Sequence, residues 1–308
     1  MVVDFPKLKD WEISRLPVRL YLLACIGLLG ILHLGNACSE VQVNTVETSK
    51  PSDSSEWKLT WSDEFDGPVG APVNDASWVF DLGGGGWGNR EKEYYTNDPQ
   101  NIALNGTGQL VITARVAPAG LACFYGECKY TSARIKTKAK VEPLYGRVEA
   151  RIKLPEGQGL WPAFWLLGNN IPSTPWPGCG EIDIMEYKGS VQGSTSSAMH
   201  GPGYSGNTPL VHAFNLPSGA FSDDFHLFAV EWEAEQVRFY VDETLHYTVT
   251  KENVQRYGKW VFDHPFFILL NLAVGGNFDG DPRNDDIFPA TMQIDYVRVY
   301  ALAATSLP

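Results

Sequence analysis

No stretch restricts the fold of this chain more than Gly180-Glu181-Ile182-Asp183-Ile184-Met185-Glu186-Tyr187. It places three carboxylates within six residues and separates them with apolar side chains. In a strand alternate side chains share a face, so Glu181 and Asp183 point one way while Ile182 and Ile184 point the other. A strict period of two would put Met185, not Glu186, on the acidic face. A one-residue bulge near Met185 brings Glu186 back beside Glu181 and Asp183. The expected product is a row of three acids on one face of a sheet, backed by an isoleucine-rich core face. Like charges that close repel by roughly several tenths of a kcal/mol or more, depending on the local dielectric. Stability alone gives no reason to keep them. The plainer alternative is a metal-binding or merely solvated acidic strand.

The rest of the chain carries the same β signature. Short apolar or alternating segments at Gln109–Ala114, Tyr130–Lys138, Gly146–Leu154, Trp161–Leu167 and Glu181–Tyr187 are punctuated by Gly, Pro, Asn and Asp. Further ones follow at Phe225–Trp232, Gln236–Val241, Phe266–Ala273 and Met292–Tyr300. Gly146–Leu154 alternates and reads as a strand wet on one side. Phe225–Trp232 and Phe266–Ala273 are apolar on both faces and read as buried inner strands. The one weak helix candidate is Glu252–Tyr257. Many short strands and no internal repeat indicate one all-β domain, a sandwich or a barrel. The loop Gly83-Gly84-Gly85-Gly86-Trp87-Gly88-Asn89 would then form one rim of a cleft.

Residues 1–38 read as an export leader. Lys7, Lys9, Arg15 and Arg19 precede an apolar run from Leu20 to Leu32 that is short for a membrane span. The run ends in Leu34-Gly35-Asn36-Ala37-Cys38, which resembles a bacterial lipoprotein signal, although Gly35 stands where an aliphatic residue is usual. Cleavage after Ala37 and an uncleaved anchor are the alternatives. The protein is therefore expected to be exported, either secreted or lipid-anchored at a bacterial cell surface or outer membrane, touching membrane only through this anchor or leader. Residues 39–56 form a polar tether, 57–302 the folded domain and 303–308 a tail. Cys123 and Cys128 lie close enough to bridge in an exported chain, whereas Cys179 has no evident partner. The net charge of −12 argues against nucleic acid and allows a neutral polymer. With 10 Trp and 13 Tyr, the chain has aromatic rings beyond what a core needs, suited to stacking on flat ligand faces such as sugars.

A row of acids suits glycosidic bond cleavage, which needs one protonated carboxyl for the leaving oxygen and one carboxylate to attack the anomeric carbon. Crowding is expected to raise the pKa of one member while another stays charged. Glu181 is read as nucleophile, Glu186 as acid and then base, and Asp183 as the residue between them that tunes the nucleophile. A separation of about 5–5.5 Å between the two glutamates would mean retention of anomeric configuration.

Glu-Ile-Asp-Ile-Met-Glu resembles the active-site signature of the family 16 glycoside hydrolases, in the variant with the extra bulge residue. Other stretches resemble the laminarinase-like, endo-1,3-β-glucanase branch. They include Trp61-Ser62-Asp63-Glu64-Phe65, Gly86-Trp87-Gly88-Asn89-Arg90-Glu91, Trp161-Pro162-Ala163-Phe164-Trp165, His200-Gly201-Pro202-Gly203-Tyr204 and Asn271-Leu272-Ala273-Val274-Gly275-Gly276-Asn277. The resemblance runs in unbroken order from about Trp57 to Tyr300. It implies a β-jelly-roll sandwich, concanavalin A-like, with a concave substrate groove and a retaining mechanism.

It also implies roles for individual residues. Trp161 and Trp165, four apart and so on one strand face, would form a platform at the cleaved sugar, with core packing as the alternative. Asn89 and Arg134 would hydrogen-bond glucose hydroxyls, Arg134 having a salt-bridged structural role as its alternative. His200 would face the acid row. Trp87, Tyr204, Asn277 and Phe278 are weaker groove candidates, each explicable by loop packing. No cofactor is expected for catalysis. Glu64, Gly108 and Asp295 correspond to a structural calcium site, Glu64 and Gly108 through main-chain oxygens. The expected protein is a monomeric hydrolase of 1,3-β-glucan, with mixed 1,3-1,4-glucan also accepted. A marine galactan substrate, transglycosylation or glucan binding without catalysis are the alternatives.

Overall fold

The computed structural model describes residues 57–303, so the leader, the tether and nearly all of the tail lie outside the described residues. Two sheets face each other in a β-jelly-roll sandwich. The larger has ten strands. Its main path runs Thr244–Thr250, Gln236–Val241, His226–Trp232, Gly146–Lys153, Ala290–Leu302, Leu110–Val116, Tyr130–Ser132 and Glu93–Tyr95. Trp57–Asp63 pairs with Ala290–Leu302, and Ile102–Leu104 pairs with Leu110–Val116. The smaller sheet has seven strands, in the order Leu210–Asn215, Ser194–His200, Glu181–Tyr187, Leu160–Gly168, Phe266–Val274, Arg134–Lys136 and Val79–Asp81.

The strand Phe266–Val274 is buried at every position, and alternation explains why. Phe266, Ile268, Leu270, Leu272 and Val274 enter the main core between the sheets. Phe267 and Leu269 point the other way and pack with Leu167 and Cys179 in a second apolar cluster. That cluster lies on the outer face of the seven-stranded sheet. Trp232 is fully buried in the main core, and its indole N–H donates to the Phe262 carbonyl at 3.0 Å.

Three local expectations change. Tyr130–Lys138 is not one strand. The chain leaves the ten-stranded sheet after Ser132, passes through the fully buried Ala133 and enters the seven-stranded sheet at Arg134. No Gly or Pro marks the crossing, because a small apolar residue suffices where the chain passes through the core. The strand Gly146–Lys153 is not fully wet on its polar side. Glu149 is buried, because Arg147 and the Tyr300 hydroxyl hold it. The helix is a single turn at Lys251–Val254, capped by the Thr250 hydroxyl accepting from the Asn253 N–H.

Candidate active site

The strand Glu181–Tyr187 carries the bulge. Asp183 pairs with Ala198 and Glu186 with Ser196, so Ile184 and Met185 together face the single residue Ser197. Both Ile184 and Met185 are buried in the core, and Glu186 turns back to the outer face with Glu181 and Asp183. The Ser197 hydroxyl donates to the Ile184 carbonyl at 2.7 Å, satisfying an oxygen that the bulge takes out of the ladder. The extra residue thus aims a carboxylate by consuming one position of alternation on the apolar side.

The neighbouring strand, Leu160–Gly168, supplies the floor. Leu160, Phe164 and Leu166 enter the core, while Trp161, Ala163, Trp165 and Leu167 line a groove cavity of about 520 Å³ that also contains the three acids. The Trp161 indole N–H donates to Glu186 Oε1 at 3.2 Å. One face of Trp161 is covered by Phe278, stacked at 4.6 Å between centroids, which leaves the other face for a ligand. The Trp165 N–H donates to Asn271 Oδ1 at 2.8 Å.

Burial dominates the electrostatics of the row. It is the largest cause pushing Glu181 and Glu186 each up to about 8, ahead of the charge of Asp183. Burial also holds Asp183 well above the usual carboxylate range. The expectation that crowding raises one member while another stays charged is therefore corrected, because burial raises all three groups. Opposing this, His200 and Arg134 favour the ionised form of Glu181. The Trp161 N–H and Lys188 do the same at Glu186, alongside His200. Burial thus favours the protonated form of all three carboxyls, and the charges of Arg134 at Glu181 and of Lys188 at Glu186 work against it.

His200 lies opposite Glu181 across the strand pair, with Nε2 at 3.2 Å from Asp183 Oδ2 and 3.7 Å from Glu181 Oε1. Glu181, Asp183 and His200 also offer ligand atoms within 4.8 Å of one another, the geometry of the metal-site alternative. The enclosing groove, with indoles on its floor and loops on its rim, suits an extended sugar chain better than a lone ion.

The family model for glycosyl hydrolases family 16 matches residues 89–298. The chain belongs to that family. It is 39% identical over 251 residues to a beta-glucanase from Rhodothermus marinus, an alignment covering 79% of this chain and 85% of the relative. The solved laminarinase catalytic domain of Thermotoga maritima superposes with a TM-score of 0.74 at 47% identity, covering 79% of this chain and 98% of that one. The endo-beta-1,3-glucanase of Pyrococcus furiosus gives 0.73 at 48% identity, covering 80% and 95%.

Around the acids of this family 16 hydrolase, the other expected residues divide. Arg134 lines the groove between two indoles, its guanidinium 4.9 Å from both the Trp87 and the Trp165 rings. Its Nε also pairs with Asp81 at 3.0 Å, the structural role given as its alternative, at a position that lines the groove. Trp87 donates its N–H to the Gly83 carbonyl at 3.2 Å and packs on Tyr95. Asn89 and Asn277 sit on two loops joined by the Asn277 N–H donating to the Asn89 carbonyl at 2.9 Å. Gly276 permits that approach, with φ +87° and no side chain where a Cβ would come within 2.7 Å of the Asn89 oxygen.

Tyr204 is not a groove residue. It is 1% exposed, and its hydroxyl donates to the Lys259 carbonyl at 2.7 Å. The ring fills the space over Gly201, so the His-Gly-Pro-Gly-Tyr turn folds its tyrosine inward.

Sequence reasoning missed the support beneath the groove. Asn89 Nδ2 donates to Glu91 at 3.0 Å, the Tyr95 hydroxyl donates to the other Glu91 oxygen at 3.0 Å, and Asn271 Nδ2 donates to that hydroxyl at 3.3 Å. With the Asn271–Trp165 bond, this chain of hydrogen bonds links Asn89 to Trp165. Trp176, 43% exposed, lines the groove with its ring 6.0 Å from His200. An indole in the Pro-Trp-Pro loop of an aromatic-rich chain was the available signal.

At the expected calcium site, the Glu64 carboxylate is held by both Arg298 Nε at 2.9 Å and Nη2 at 2.8 Å, leaving only its carbonyl free for a cation. A Cβ at Gly108 would lie 3.9 Å from that carbonyl and 3.7 Å from Asp66 Oδ1, so oxygens do gather there. The main-chain part fits an oxygen-seeking ion. The Asp295 carboxylate fits less well, being paired with Arg151 at 2.8 Å.

Proposed function

We propose that this chain is a retaining endo-acting hydrolase of 1,3-β-glucan that also accepts mixed 1,3-1,4-β-glucan. The observation carrying this reading is the bulged acid row on the floor of an indole-lined groove, in a family 16 chain whose most similar relatives include a beta-glucanase and two 1,3-glucan hydrolases or laminarinases. A glucose unit stacks on the free face of Trp161, and Arg134, Asn89 and Asn277 meet its hydroxyls. Glu186 gives its proton to the glycosidic oxygen as Glu181 attacks the anomeric carbon, and the bond to the leaving sugar breaks. Water then enters, Glu186 takes its proton, and the glycosyl–Glu181 ester is hydrolysed with net retention. Asp183 lies between the two and, with His200, sets the charge on Glu181. No bound cofactor takes part.

The test is Glu181→Gln on laminarin. Its expected rate is lower by about 10⁴-fold or more, with oligosaccharide binding kept, because the variant removes a group needed only in the transition state. Near-normal activity would refute the assignment. Products from laminarin, lichenan, agarose and carrageenan decide between glucan and galactan.

We further infer that the enzyme is exported and works outside the cytoplasm, as a monomer. Support comes from the leader read in residues 1–38 and from the disulfide between Cys123 and Cys128. Any calcium bound by the carbonyls near Glu64 and Gly108, with Asp66, is structural and takes no part in the reaction.

A further inference from the structure

The two sheets leave one edge strand each on the same side of the sandwich, Leu210–Asn215 and Thr244–Thr250. His212 on the first and His246 on the second bring their Nδ1 atoms to 3.4 Å of each other. We propose that this pair is a binding site for a divalent transition metal of the zinc or copper class, clipping the edge of one sheet to the edge of the other.

The hydrogen bonds set the protonation that such a site needs. The Ser197 hydroxyl has one proton, and it donates that proton to the Ile184 carbonyl at 2.7 Å. Its contact with His246 Nε2 at 3.2 Å must then be one in which the imidazole donates. A neutral His246 with its proton on Nε2 presents a bare lone pair on Nδ1, facing His212. A partner on the far nitrogen that fixes the tautomer is the usual support of a metal-binding histidine.

The spacing also suits an ion. Two imidazole nitrogens about 2.0–2.1 Å from a tetrahedral metal lie roughly 3.3–3.4 Å apart. Ring planes are held from the sides, Tyr247 stacking on His212 at 5.3 Å and Phe214 meeting His246 edge-on at 5.5 Å. His212 is exposed, so an ion enters from solvent and waters complete its coordination. Imidazole donors without a carboxylate select copper, nickel and zinc over magnesium or calcium.

The test uses the full chain without an affinity tag, freed of metal and titrated with zinc by calorimetry and with copper by electron paramagnetic resonance. Wild type is expected to bind one ion per chain, with nitrogen hyperfine structure in the copper spectrum. Its Tm should rise by on the order of 5 °C at a hundredfold excess of free metal over Kd. His212→Ala and His246→Gln should each weaken binding at least tenfold, with hydrolysis of laminarin in chelator unchanged for His212→Ala. A metal-free Tm of His212→Ala close to wild type shows that folding is intact. No saturable binding by wild type, or binding by His212→Ala equal to wild type, overturns the proposal. Loss of binding in His200→Ala but not in His212→Ala would place the ion at the acid row and overturn it equally.

Discussion

At Glu181 and Glu186 desolvation outweighs the charge of Asp183 in lifting the pKa to about 8, and this ordering has consequences for both rate and stability. Asp183 still raises both neighbours, so Asp183→Asn should lower both. Glu186 would then lose its proton at lower pH, and the alkaline limb of kcat against pH should move toward acid relative to wild type. An unmoved or alkaline-shifted limb would show that Asp183 does not act through charge. The same shifts cost stability. A group whose folded pKa lies above its unfolded value near 4.5 stabilises fully below that value, and the contribution is lost as pH rises through about 8. Glu186→Gln removes the titration while keeping an acceptor for the Trp161 N–H. Its stability should match wild type near pH 4 and exceed it at pH 8–9 by on the order of 1–3 kcal/mol. Thermal melts across that range check the sign.

At the scale of a strand, the bulge is a device for packing. Ile184 and Met185 both occupy core positions, so the chain spends two residues inward before Glu186 emerges. Deleting Met185 leaves Glu-Ile-Asp-Ile-Glu, whose strict alternation still puts the three acids on one face. The deletion empties a Met-sized volume and should cost about 2–5 kcal/mol, read by denaturant melts. It should nonetheless keep more activity on laminarin than Glu186→Gln, because the acid is displaced rather than removed. The reverse ranking would mean that the position of the acid, set by the bulge, matters as much as its presence. The bulge was legible in the sequence because the spacing of acids broke the period of two. The switch of sheets at Ala133 was not, because nothing local distinguishes a bend through the core from a continuing strand.

For the molecule as a whole, the groove depends on loops fastened from a distance. Cys123 and Cys128 close a short hairpin whose Phe124 N–H donates to the Gly84 carbonyl at 2.9 Å, beneath the loop that carries Trp87 and Asn89. Cys123→Ser with Cys128→Ser should cost about 2 kcal/mol or less of stability, given the short loop closed. It should raise KM for laminarin more than it lowers kcat, since the acid row lies on strands the hairpin does not touch. An equal fall in both would tie the hairpin to the chemistry itself.

From the sequence alone came the all-β class, the strand carrying the acids, its bulge and the paired indoles, because alternation over a few residues reports directly which side chains share a face. Only the tertiary structure decided what those faces meet. Tyr204 stood in a motif beside His200, yet its ring turned inward onto Gly201 and Lys259. Glu91, Tyr95 and Asn271, far apart in the chain, became one buried hydrogen-bonded support between Asn89 and Trp165. The pKa values of the row likewise followed from burial, which a linear pattern of charges does not contain. Periodicity is local, whereas desolvation and contact belong to the packed sheets.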